Sequence, residues 1–293
     1  MTELKLSFEY FPARTEKAAA TLRRSAAQLD ALGPRFASVT YGALGSDTEA
    51  SLHTIKDVQS VTASPVAAHL TCSGATREEI HATAERFWEM GVRALVALRG
   101  DAAEDKDAIR AYDHASGFVA ALKQRHGFEV NVAAFPEGHP ETSGPGIDGQ
   151  GRDIENLKRK ADAGADRALC QFCFDDDAFL RYRDRAAGAG IGLEVVPGFL
   201  PILNFRRLED FAGKCGGTLP QALRDRFAGH EDDAEATRRI AVEVGAEQIE
   251  RLRAAGVDGF HVFTLNKAGL TLDIFRAAGI ETDSRKPGGR IAA

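Results

Sequence analysis

The feature that most constrains this 293-residue chain is a repeated alternation of short apolar runs with helical stretches. The apolar runs read as strands at residues 6–11, 36–41, 66–71, 94–98, 129–135, 168–174, 193–196 and 259–264. Helical patterns fill residues 15–32, 48–61, 76–90, 115–125, 153–163, 176–189 and 268–278, and two or three short helices are expected within 204–255. Helix ends carry the expected punctuation: Gly33-Pro34, Gly91, Gly164, Gly190 and Gly279 follow last turns, and Thr76-Arg77-Glu78-Glu79 has the form of a capping box. Most units span roughly 25 to 35 residues, the length a strand and its returning helix need. Short apolar strands that alternate with helices imply an all-parallel sheet covered on both faces. Eight such units in a chain of this length predict an α/β fold, a single-domain (β/α)8 TIM barrel over residues 1–280, with a polar, Gly/Pro-rich tail at 281–293 expected to be disordered. A doubly wound sheet would carry a glycine-rich phosphate loop after its first strand, and Glu9-Tyr10-Phe11-Pro12 stands there instead.

A net charge of −6 argues against nucleic acid and anionic membrane as partners, and no apolar run reaches transmembrane length. The first residues enter a strand without a signal-peptide pattern, so a cytoplasmic location is expected. Cys170-Gln171-Phe172-Cys173 matches C-x-x-C, yet residues three apart on a strand face opposite ways, so the pair reads as two buried thiols. His69, His139 and His261 lie on different units without zinc-site spacing, so no metal is expected.

In a barrel, chemistry gathers at the C-terminal ends of the strands. The groups assigned to those ends are Glu9; Thr40-Tyr41; His69 and Thr71; Arg99-Gly100-Asp101; Phe135 to His139; Gln171; Glu194; and Thr264 to Lys267. A ring of such groups describes a polar-lined pocket. Glu9 has two readings: an edge-strand acid in water, or a buried carboxylate among Phe8, Tyr10 and Phe11. Burial would raise its pKa and keep it protonated, as a general acid requires. His69 reads equally as a satisfied core histidine or a ligand contact. Asp153, Asn156 and Lys160 share one helix face, either a solvated basic surface or a strip that holds an anion.

The strand ends together resemble the methylenetetrahydrofolate reductase family in its short bacterial form. The matching segments are Ser7-Phe8-Glu9-Tyr10-Phe11-Pro12, Ser38-Val39-Thr40-Tyr41-Gly42-Ala43, His69-Leu70-Thr71-Cys72, Leu98-Arg99-Gly100-Asp101, Ala133 to Pro140, Asn156-Leu157-Lys158-Arg159-Lys160, Gln171 to Asp175, Pro197 to Pro201 and Phe263-Thr264-Leu265-Asn266-Lys267. They run in order from the first strand to the last.

The resemblance implies a barrel holding FAD non-covalently, reduced by NAD(P)H, with NADH preferred, and passing hydride to 5,10-methylenetetrahydrofolate in a ping-pong cycle. It implies Glu9 as the general acid that opens the folate's imidazolidine ring, and Asp101 as the acid near flavin and pterin. Thr40, Tyr41, Ala43, His69, Arg99, Gly100, Asp101, Ala115, Phe135, His139, Asp153, Asn156, Arg159 and Lys160 are implied cofactor contacts, with Thr40 also a candidate nicotinamide or folate contact. Asp101, Gln171, Arg207, Phe211 and Lys267 are implied on the substrate side. Arg207 and Lys267 depart from the pattern, standing where relatives often carry Gln and Arg. Residues 142–151 look like an insertion beside the flavin. The implied partners are the folate and the nicotinamide nucleotide, in a homo-oligomer. Competing readings are another flavin barrel, such as a proline-dehydrogenase-like oxidase, and a non-catalytic folate or flavin carrier.

Overall fold

Alternation of side chains along each strand decides what this barrel keeps inside. In the first strand, β1 (Lys5–Tyr10), Leu6, Phe8 and Tyr10 face outward into the main core, while Ser7 and Glu9 take the opposite phase. The computed structural model describes residues 4–41, 48–100, 109, 111–142 and 148–280, Thr142 and Lys214 in backbone only. Seven more strands follow in chain order: β2 (Phe36–Val39), β3 (Val66–Thr71), β4 (Ala94–Leu98), β5 (Glu129–Ala134), β6 (Arg167–Phe172), β7 (Glu194–Phe199) and β8 (Gly259–Phe263). Each pairs in parallel with the next, and β8 returns to β1, so the sheet closes on itself. The expected single-domain (β/α)8 barrel is therefore the observed one.

Helices α1 (Glu16–Asp30), α2 (Thr48–Val61), α3 (Arg77–Glu89), α4 (Ala115–Arg125), α5 (Gly149–Asp162) and α6 (Asp176–Gly188) cross between successive strands. α7 (Phe205–Cys215), α8 (Gln221–Phe227) and α9 (Ala234–Ala254) fill the excursion before β8, and α10 (Gly269–Ala277) closes the chain's last unit. The excursion was expected to hold only short helices, but α9 runs 21 residues. The predicted capping box at Thr76 is present, with Glu79 bonding back to the cap.

Three of the boundaries that differ from the sequence reading bear on the site. β2 ends at Val39, although the Thr40 N–H still donates to Tyr10 O at 2.8 Å. α5 begins at Gly149 rather than 153, because the Asp148 carboxylate caps it by accepting from the Gly151 N–H at 2.8 Å. The last three residues of the supposed insertion are thus helix. β7 runs through Pro197-Gly198 instead of stopping there. Two residues of β6, Cys170 and Gln171, oppose Pro197 alone, making a bulge that relieves the proline of its missing N–H. Gly198 sits so close that an added Cβ would lie 2.3 Å from Cys170 O, so only glycine fits.

That longer β7 also moves Glu194. It begins the strand, at the barrel floor, and not at the mouth where the sequence reading set it. There Arg35 Nη1 meets Glu194 Oε2 at 2.6 Å and Lys5 Nζ meets Oε1 at 3.4 Å. Arg167 donates to Glu129, to Asn131 Oδ1 at 2.7 Å and to Glu194 at 3.2 Å. Above this charged floor, Phe36, Ala67, Ala94, Val96, Leu169 and Val196 form an apolar plug. The space above the plug is the mouth.

Candidate active site

Glu9 stands at the top of β1, on the inward phase. Its neighbours are two histidines contributed by β3 and β8. His69 Nε2 and His261 Nε2 each lie 3.3 Å from Glu9 Oε2. His261 is fixed from behind: its Nδ1 is 2.8 Å from Ser7 Oγ, one inward step below Glu9 on the same strand. Ser7, His69 and His261 are buried, and Glu9 keeps only 17% of its side-chain surface. Burial by itself would push the Glu9 carboxyl up, but the charge and hydrogen bonding of the two histidines outweigh it and hold the group down at about 2. This corrects the sequence reading in two respects. Phe8 and Tyr10 point away from Glu9, and Phe11 is largely exposed, so no apolar cage surrounds the acid. The histidine contacts favour the ionised carboxylate over the protonated acid that the sequence suggested.

A cleft of about 240 Å³ opens beyond β4 and β5. Leu98 forms part of its wall, and Leu98 pairs with Thr71, two residues along β3 from His69. Nine residues named from the sequence line this one cleft: Arg99, Gly100, Ala115, Phe135, His139, Asp153, Asn156, Arg159 and Lys160. α5 presents the last four to the cleft, Asp153, Asn156 and Lys160 on one face as their spacing predicts, with Arg159 beside them. Lys160 is 8% exposed and donates to Ala133 O. Burial lowers its pKa, with nearby Asp153 acting the other way. Arg159 bonds Asn156, and Arg99 pairs with Glu141. Phe135 and His139 pack edge to face at 4.6 Å, and the His139 pKa is lowered chiefly by burial. Asp153 is spoken for: it accepts from the Phe135 N–H at 3.0 Å and from the Tyr182 hydroxyl. It shapes the cleft and balances Lys160.

Other named residues stand apart from the cleft. His69 is turned to Glu9. Tyr41 bonds Thr48 Oγ1 at 2.7 Å and lines a separate hollow with Thr71, Ser73 and Glu79. Gln171 sits in the β6 bulge, its Oε1 accepting from the Phe172 N–H. Phe211 is 45% exposed and stacks on Phe172 at 5.5 Å. Arg207 and Lys267 are exposed. Asp101 and Ala43 lie outside the described residues. The four cysteines are free, with Cys170 and Cys173 buried and their pKa values raised by burial. Among the described residues no group of three or more His, Cys, Asp or Glu side chains is arranged to hold a metal ion. Nor is any described helix long and apolar enough to cross a membrane.

The sequence reading missed Ser7 and His261 as partners of Glu9, and His114, Ser116 and Glu141 as cleft residues. Ser7 and His261 did carry a signal. Each is a polar residue on the inward phase of its strand, Ser7 on the same phase as Glu9 and His261 between Phe260 and Val262.

The model of the methylenetetrahydrofolate reductase family matches residues 1–279. The chain is 38% identical to the 5,10-methylenetetrahydrofolate reductase of Escherichia coli (strain K12), over 95% of this chain and 92% of that one. It is also 38% identical to the enzyme of that name from Pectobacterium carotovorum subsp. carotovorum, over 96% and 92%. A Zea mays protein named methylenetetrahydrofolate reductase (NADH) 1 is 30% identical over 95% of this chain and 49% of its own length. Among solved structures, a Clostridium thermocellum protein that binds two copies of 5-methyl-5,6,7,8-tetrahydrofolic acid superposes with a TM-score of 0.57 at 14% identity, covering 94% of each chain. That likeness is one of fold. The chain belongs to the methylenetetrahydrofolate reductase family.

Proposed function

We propose that this family member reduces 5,10-methylenetetrahydrofolate to 5-methyltetrahydrofolate, using non-covalent FAD and NAD(P)H, with NADH preferred, in a ping-pong cycle. The observation that carries the reading is the convergence of His69 and His261 on Glu9, beside a cation-lined cleft, in a chain so similar to enzymes of that name. The cleft's donor set suits FAD: Arg99, Arg159 and buried Lys160 match an anionic pyrophosphate, and Leu98, Ala115 and Phe135 match flat apolar rings. Its volume would accommodate part of a dinucleotide. FAD, when bound, carries the hydride from the nicotinamide to the folate.

The chain supplies binding and protons. Arg99, Arg159 and Lys160 hold the pyrophosphate, and Gly100, Ala115, Phe135, His139, Asp153 and Asn156 shape the rest. Thr40, Ala43 and Asp101 would complete the cofactor side, while Tyr41, in its separate hollow, would not. Phe211 stacks on whichever substrate is present, while Gln171, Asp101, Arg207 and Lys267 hold the folate. Glu9 is the proton donor, with His69 and His261 both against its carboxylate. Folate entering the mouth displaces water and raises the cost of the carboxylate charge, which favours the protonated form of Glu9. Glu9 then protonates the folate nitrogen whose bond to the bridging carbon breaks, leaving an electrophilic iminium for hydride. A cytoplasmic homo-oligomer acting on small molecules, without nucleic acid or membrane partners, completes the reading.

The test is a visible spectrum of the purified protein. A flavin spectrum is expected, bleached anaerobically by NADH and restored by methylenetetrahydrofolate. A protein that stays colourless after FAD is added overturns the reading.

A further inference from the structure

Two successive residues at the end of β8, Leu265 and Asn266, take left-handed backbone angles, with φ of 50° and 56°. Asparagine tolerates that region, but leucine does so rarely. Such a pair persists only where surrounding contacts over-determine it. The contacts here converge on the exit of β1. The Asn266 side chain accepts from the Phe11 N–H at 3.0 Å and donates to Phe11 O at 2.8 Å, so one amide satisfies both backbone groups of that residue. The Thr264 hydroxyl donates to Glu9 O at 2.6 Å and accepts from the Asn266 N–H at 3.1 Å. The Ser25 hydroxyl of α1 donates to Asn266 O at 3.0 Å.

The ladder between β1 and β8 ends at Glu9 opposite Phe263. Pro12 follows Phe11 and has no N–H of its own to bond. Past the ladder, the Asn266 side chain imitates a further strand residue, bonding both backbone groups of Phe11, two residues beyond Glu9. We infer that Asn266 is a positioning residue for the protonation step: it fixes the backbone on the exit side of Glu9 and thereby the reach of its carboxylate. The strain at Leu265 and Asn266 is what brings the amide to Phe11. This inference rests on the proposed role of Glu9.

Asn266→Gly tests it, because glycine accepts the left-handed angle while deleting both side-chain hydrogen bonds. Loading with FAD to wild-type stoichiometry establishes that the variant is folded. The folate half-reaction is expected to slow by about tenfold, as loss of two positioning bonds implies, while bleaching by NADH changes less than about twofold. Asn266→Asp keeps the acceptor for Phe11 N–H and loses the donor, so it should fall between Gly and wild type, and it answers the same question if the glycine variant does not fold. In a Glu9→Gln background the further change to Gly should cost nothing more, since it acts through Glu9. An Asn266→Gly enzyme as fast as wild type toward folate, or one that slows the Glu9→Gln enzyme by the same factor again, overturns the inference. A wild-type protein that binds FAD and never reduces folate overturns the functional reading itself.

Discussion

At the barrel floor, Glu129 and Glu194 are met by Arg35, Arg167 and Lys5. At the mouth, Glu9 is met by His69 and His261. Both carboxylates with a resolved shift, Glu194 and Glu9, sit below their ordinary pKa although burial pushes each the other way. The difference lies in the partners. Arginine and lysine stay charged at any pH the fold survives, so the floor is a fixed charge arrangement. Histidine offers ring nitrogens that can donate or accept, so the mouth joins its carboxylate by hydrogen bonds rather than by fixed cations. On the proposed reading the same carboxylate chemistry serves structure at one end of the barrel and reaction at the other, and the charge at the floor should matter for stability alone.

The largest expected effect tests the mouth. Glu9→Gln should slow the folate half-reaction by about 10² to 10⁴, the usual span for a general acid, with NADH bleaching nearly unchanged in stopped-flow traces. Equal loss in both half-reactions would make Glu9 a cofactor residue and break the comparison. The next tests the floor. Arg167→Met removes ion pairs to the partly exposed Glu129 and Glu194 and the donor to buried Asn131 Oδ1, and should cost about 1 to 2 kcal/mol in denaturant unfolding. The folded fraction should keep its folate rate, and a fall in that rate would show that the two ends are coupled.

A pH series sharpens the contrast further. The Glu9 pKa is lower in the folded chain than its ordinary value of 4.5, so its contribution to stability is full above that value and is lost as pH falls toward about 2. The stability difference between wild type and Glu9→Gln should shrink across that window. Glu194 is common to both proteins and cancels. A difference that stays flat would mean the histidines do not stabilise the carboxylate. The smallest effect is expected from Ser7→Ala, which frees His261 Nδ1 and should slow folate reduction by about fivefold, equivalent to about 1 kcal/mol for one hydrogen bond.

Local pattern carried most of the fold. α2, β3, β4 and α4 occupy the residues that periodicity and flanking glycines assign them. β7 was misread because Pro197 is a stop signal in isolation. Its tolerance depends on a bulge in β6, some 25 residues away along the chain, which no window around Pro197 contains. The same non-locality hid the partners of Glu9. Alternation along β1 places Ser7 and Glu9 on one face, but nothing near residue 9 announces His69 or His261. The apolar residues beside Glu9 suggested a raised pKa, yet they belong to the other face. The cleft was more legible, because the resemblance supplied residues whose positions the barrel then brought together.

The seam between β1 and β8 has a kinetic consequence. Glu9 and His261 are 252 residues apart, and the register that aligns them forms only when the first strand meets the last. Closing so long a loop is slow, and its entropic cost must be met before the pairing returns any stability. Reductase competence should therefore arrive as a late phase of refolding, after most secondary structure, and the proton-donating site should be the last part of the barrel to exist.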